Sequence, residues 1–104
     1  MTKLLGMTLM LAACLAAAHD AKAGKAAYDK ACKSCHGADG TPNAAIAKAM
    51  KVEMRHLGSK EVQALSDAEL KTISIEGKGK MKPIKSVTGA AVDDLIGHLR
   101  TLRQ

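Results

Sequence analysis

The chain has 104 residues, 16 Lys and Arg against ten Asp and Glu for a net charge of +6, no Phe or Trp, and a single Tyr at position 28. That length allows one domain, and a core of Ala, Leu, Ile, Val and Met in so short a chain buries little area unless something else fills the middle. With no Arg-rich stripe and almost no aromatic side chain to stack on bases, the charge excludes a nucleic-acid reader and suits an acidic protein partner or an anionic membrane surface.

Met1-Thr2-Lys3 is a short positive start, and residues 4–15 form a nearly unbroken apolar run that Ala16-Ala17-Ala18 extends. Ala21-Lys22-Ala23 fits the small-x-small rule for signal peptidase. Residues 1–23 are therefore expected to be an export leader, with residues 24–104 as the domain. The apolar run is shorter than the ~20 residues a spanning helix needs. A competing detail is Leu11-Ala12-Ala13-Cys14, which is similar to the lipobox of bacterial lipoproteins and would leave a lipid on Cys14. Both readings place the protein outside the cytoplasm, either free in the periplasm or tethered by lipid and facing the periplasm or the cell exterior.

A first helix is predicted over 25–33, with Ala27, Tyr28 and Ala31 inward. It runs into Cys32-Lys33-Ser34-Cys35-His36, which matches C-x-x-C-H, the attachment pattern for c-type haem. Residues three apart share one face of a helical turn, so both thiols can reach the two vinyl groups on one side of a porphyrin. The next residue then brings its imidazole under the iron. Cys32 and Cys35 are thus candidate thioether positions, and His36 the candidate proximal iron ligand. A thioredoxin-like use of C-x-x-C needs a βαβ context that the sequence lacks, and a zinc site needs a second ligand pair. A haem would also supply the missing core.

Gly37 and Gly40 mark a loop after the motif. The stretch 44–62 is rich in Ala and Met and ambiguous, with a break at Leu57-Gly58-Ser59. Ser66-Asp67-Ala68-Glu69 is a capping box opening a helix to about residue 75, and Gly77 and Gly79 end it. The final helix starts near residue 90 and turns Val92, Leu95, Ile96, Leu99 and Leu102 inward. No strand signal occurs, and the fold class is all-α, with three to five helices around one haem.

A thioether is the usual sixth ligand in haem electron carriers. Met81 lies in Gly77-Lys78-Gly79-Lys80-Met81-Lys82-Pro83, a loop where Gly permits close backbone approach and Pro83 stiffens the exit. It is the candidate distal ligand. Met50 and Met54 have the four-residue spacing of core positions, and His56 or His98 would instead make a bis-His iron.

Together these features resemble the class I cytochrome c family, closest to small bacterial single-haem forms of the c551/c552 or c6 type. The resemblance implies haem c bound through Cys32 and Cys35, with His36 and Met81 as axial ligands. It also implies that Gly24 and Tyr28 pack on the closing helix, where His98 takes an aromatic slot against them. The chain departs from the family pattern in three places. No Pro stands about a dozen residues after His36 to supply the carbonyl that usually holds that ring. Lys82 separates Met81 from Pro83, and the usual aromatic residues near the haem are missing.

The expected function is transfer of single electrons between redox proteins as the iron cycles between Fe(III) and Fe(II), without an enzymatic site or a small-molecule substrate. Lys78, Lys80, Lys82 and Lys85 surround the Met81 loop and could steer an acidic partner onto it; surface solubility is the plainer role for them. The competing functions are a haem-based sensor or gas-binding protein, and a tethered electron-donor subunit of a larger oxidoreductase.

Overall fold

A computed structural model of the chain describes residues 20–104. Six helical segments follow one another: α1 (Ala21–Ala31), α2 (Lys33–His36), α3 (Ala44–Met50), α4 (Lys60–Gln63), α5 (Asp67–Glu76) and α6 (Ala90–Thr101). The number exceeds the expected three to five because α2 and α4 are single turns of four residues. Among the described residues the only β pairing is an isolated bridge between Lys78 and Met81, which closes the turn before Met81. No helix among them is long and apolar enough to cross a membrane. The residues up to 19, including the apolar run and Cys14, lie outside the described part.

The seam between α1 and α6 organises the molecule. Tyr28, Leu95 and Ile96 are fully enclosed there, with Cys32, Leu70 and Leu99 beside them and Ala27, Ala31, Leu57, Val62, Leu65 and Ile84 packed against the cluster. The close approach depends on Gly24, which faces the Asp94 carbonyl so tightly that a Cβ would collide with its oxygen and sit 2.9 Å from its carbon. The apolar residues expected on the inner face of the last helix are buried at Val92, Leu95, Ile96 and Leu99, with Leu102 half-buried.

α1 begins four residues before the expected start at 25. Asp20 caps it by accepting from the backbone N–H groups of Lys22 and Ala23, which an N-cap does best with a short acidic or hydroxyl side chain. The backbone N–H of Asp20 also donates to Asp94 Oδ1 at 2.9 Å. The tripeptide Ala21-Lys22-Ala23 therefore forms the first turn of α1. The capping box is present as expected: the Ser66 hydroxyl accepts from Glu69 N, and the Glu69 carboxylate accepts from Ser66 N. Gly77 ends α5 with φ of 77°.

The ambiguous middle resolves into α3, capped by Asn43, and α4, capped by Ser59, with an irregular segment between. Arg100 ties the α4–α5 turn to α6. Its guanidinium donates to the carbonyls of Gln63 (2.9 Å) and Leu65 (2.7 Å) and to the Asp67 carboxylate (2.7 Å). Gln63 Nε2 in turn donates to the carbonyls of Leu57 and Leu99.

Candidate functional site

The C-x-x-C-H segment straddles the end of α1 and all of α2. Cys32 caps both helices, its N–H bonded to the Tyr28 carbonyl at 2.8 Å, and Lys33 to His36 form the single turn. Cys32 and Cys35 both carry free thiols, the first buried and the second half-buried. Burial pushes the Cys32 thiol up to about 11, with the nearby Cys35 acting in the same direction. Cys32 is thus held as a neutral thiol, not as a reactive thiolate.

The carbonyls at the end of a helical turn have no partners within it, and in α2 two side chains supply them. Asn43 serves the first half. Its backbone N–H donates to Cys35 O at 2.9 Å and its Nδ2 donates to Ser34 O at 3.2 Å, while its Oδ1 caps α3. Tyr28 serves the second half. Its hydroxyl donates to Gly37 O at 2.6 Å and lies 3.3 Å from His36 O. Burial, with smaller effects of nearby negative groups, raises the Tyr28 phenol to about 12, so it remains a proton donor across the ordinary pH range.

The His36 ring is half-buried, and its Nδ1 is enclosed without a hydrogen-bond partner among the described residues. Burial lowers its pKa below the usual imidazole value. A buried imidazole that the protein leaves unbonded and neutral has the donor chemistry an iron ligand needs. The two thiols four residues before and one residue before it match covalent haem attachment, so the residues present fit the group.

Met81 is half-buried in the loop after α5, where its backbone N–H and carbonyl pair with Lys78. Ile84 N then returns the chain to Ser74 O at 2.9 Å. Met50 and Met54 are also half-buried. The His98 ring packs on Tyr28 at a centroid distance of 4.9 Å, and its buried Nε2, like His36 Nδ1, has no hydrogen-bond partner among the described residues. His56 Nδ1 accepts from Gly58 N at 2.8 Å and is occupied in that turn. Lys78, Lys80, Lys82 and Lys85 are all exposed. Lys80 Nζ donates to the Met50 carbonyl, tying the Met81 loop to the end of α3. An open groove of about 500 Å³ runs along α5 between Leu65 and Lys78. Cys32, Cys35, His36 and Met81 do not line it, so it is not assigned to this site.

The profile of the family described as cytochrome C oxidase, cbb3-type, subunit III matches residues 19–99. The chain belongs to this family of c-type cytochrome domains. A curated relative, cytochrome c-553 of Desulfomicrobium norvegicum (strain DSM 1741 / NCIMB 8310), is 41% identical over 76 residues, covering 71% of this chain and 89% of the relative. The protein is accordingly a small class I c-type cytochrome with covalently bound haem c, and its function is haem-based electron transfer to and from redox proteins. As family members, such cytochromes supply an iron centre that takes up and gives back one electron.

Asn43 and the Tyr28 hydroxyl were not legible as site residues. Tyr28 stood out only as a packing residue. Asn43 carried a usable signal, an Asn immediately before an Ala-rich helix-forming run, which marks an N-cap. Asp20 before Ala21 carried the same signal but fell inside the expected leader.

Proposed function

We propose that this cytochrome is an exported single-electron carrier in which Cys32 and Cys35 form the haem thioethers, His36 is the proximal iron ligand and Met81 the distal one. The observation that carries the reading is the α2 turn. There, two free thiols precede an imidazole whose Nδ1 is buried and unbonded. Met81 is favoured over the histidines because His98 is committed to Tyr28 and His56 to the Gly58 turn. No enzymatic site is proposed. The apolar run at 4–15 supports export to the periplasm. Cys14 offers a lipid tether, a form that would suit a donor subunit of a larger oxidoreductase, and the description of the matched family favours that second reading.

The exposed lysines at 78, 82 and 85 form, with Lys80, a positive surface around the Met81 loop, suited to an acidic redox partner. Charge reversal at Lys82 and Lys85 is expected to slow association with such a partner at low salt. An unchanged, salt-independent rate removes the docking role.

The deciding experiment is the visible spectrum of the protein expressed with export and purified. The ferric form is expected to show the weak long-wavelength band of Met–Fe(III) ligation, and Met81→Ala to lose it while keeping the haem attached. Retention of the band in Met81→Ala refutes the distal assignment. Rapid binding of carbon monoxide by the reduced wild-type protein at neutral pH refutes a closed six-coordinate carrier.

A further inference from the structure

We infer that Tyr28 is the positioning residue of the proximal histidine. Its hydroxyl sets the backbone from which the His36 ring reaches the iron, in a chain where the ring's own Nδ1 has no acceptor. The inference rests on His36 being the proximal ligand.

A metal-bound histidine almost always donates its second ring N–H to a carboxylate, a carbonyl or water, and that bond fixes the ring's orientation. Here the buried Nδ1 of His36 finds no such partner among the described residues. Carbonyls of the motif and of the loop after it have other partners. Ser34 O and Cys35 O accept from Asn43, Gly40 O accepts from Leu57 N at 3.0 Å, and His36 O and Gly37 O face the Tyr28 hydroxyl.

Orientation must then come from the main chain. The shortest bond on it is Tyr28 Oη to Gly37 O at 2.6 Å. Tyr28 is well placed to impose a fixed geometry. It is 0% exposed, its ring lies against His98, and it sits at the centre of the α1–α6 seam. The packing of those helices is thereby relayed through one phenol to the ligand turn. A ligand held by a preorganised support changes little between oxidation states, which favours fast single-electron exchange.

The test uses the haem-loaded protein and Tyr28→Phe, which keeps the ring and its packing on His98 and removes only the hydroxyl. Proton NMR of the ferric form reads the orientation of the axial imidazole through the spread of the haem-methyl shifts, and voltammetry reads the ferric/ferrous equilibrium. The expected result is an altered methyl-shift spread together with about a two- to fivefold change in that equilibrium, the scale one neutral hydrogen bond supports. A packing role alone leaves both unchanged, and that outcome overturns the inference.

Tyr28 is the only tyrosine in the chain, so biosynthetic replacement with 3-fluorotyrosine alters this residue alone. That phenol is a stronger donor, and it is expected to move the haem-methyl shifts in the direction opposite to Tyr28→Phe. A null result overturns the inference even if Tyr28→Phe yields no holoprotein. His36→Ala separates the two levels. If it retains the wild-type low-spin spectrum, the proximal assignment itself fails. If it loses that spectrum while the Tyr28 variants change nothing, only the positioning role fails.

Discussion

Replacing Gly24 with alanine isolates the contact on which the helix seam depends. Gly24 lies in an ordinary helical conformation within α1, so the substitution adds no backbone strain. The new Cβ would meet the Asp94 carbonyl, 2.9 Å from its carbon and closer still to its oxygen, with His98 Cβ at 3.3 Å. Ordinary carbon contacts lie at about 3.5–4.0 Å, so α1 and α6 must part by close to 1 Å. A gap of 0.5–1 Å forfeits roughly a quarter to a half of each dispersion well along the seam. That seam holds Tyr28, Leu95, Ile96 and Leu99. Overpacking of this kind costs about 1–3 kcal/mol, and the better helix propensity of alanine returns at most about 1 kcal/mol. The expected net loss is about 1–2 kcal/mol, which in a domain of this size lowers the melting temperature by about 4–15 °C. Thermal melts followed at 222 nm and at the Soret band check it. Gly79→Ala is the control: Gly79 has φ of 57° and open space around it, so it carries backbone strain of about 1–2 kcal/mol without a clash. A Gly24→Ala protein that melts with the wild type refutes the close-approach argument.

Arg100→Gln removes the donors to the Gln63 and Leu65 carbonyls and to Asp67, and is expected to lower the urea-unfolding free energy by about 2–3 kcal/mol. Most of that loss should persist in 1 M salt, since two acceptors are carbonyls and the Asp67 side chain is 64% exposed. Burial holds the His98 pKa below its usual value, with Asp29 opposing and Lys25 assisting. Between the folded value and about 6.5 the unfolded chain binds more protons than the folded one. Stability is therefore complete above about 6.5 and falls as the pH drops below it. Urea midpoints at pH 7.5 and 5.5 should differ less in His98→Phe than in the wild type, and equal pH slopes count against the role given to His98. Asp20→Ala removes the α1 cap and the first-turn bonds to Lys22 and Ala23, at an expected cost of about 1 kcal/mol by chemical denaturation. Intact mass of the exported protein reads whether its chain retains Asp20 or begins at Gly24; in the latter case Asp20→Ala in the precursor leaves the mature protein's stability unchanged.

Features that depend on neighbouring residues were legible in the sequence. The capping box at Ser66 and Glu69 works within four residues, and the buried face of α6 follows from 3.6-residue periodicity, so both appear where the pattern puts them. The Cys32-Lys33-Ser34-Cys35-His36 motif carries its chemistry in its spacing, and the family match spans it. The start of α1 was placed four residues late because an apolar leader pattern and a helix start overlap at Ala21-Lys22-Ala23, and the Asp20 cap and its bond to Asp94 become visible only in three dimensions. α3 and α4 could not be drawn from composition, since an Ala- and Met-rich stretch fits one helix or two short ones until Asn43 and Ser59 are seen as caps.

The surroundings of the motif were decided by the tertiary structure. A missing Pro left the support of His36 open, and no local rule reveals that its Nδ1 stays unbonded while a phenol eight residues earlier holds the carbonyls behind it. Tyr28 is fixed in this geometry by its burial in the α1–α6 seam, which Gly24 allows to close. The sequence by itself determined which atoms can bind a haem and where the strongest helices begin. The packing of two helices distant in the chain decided how the His36 turn is supported, because hydrogen-bond direction depends on positions that long-range contacts help to fix.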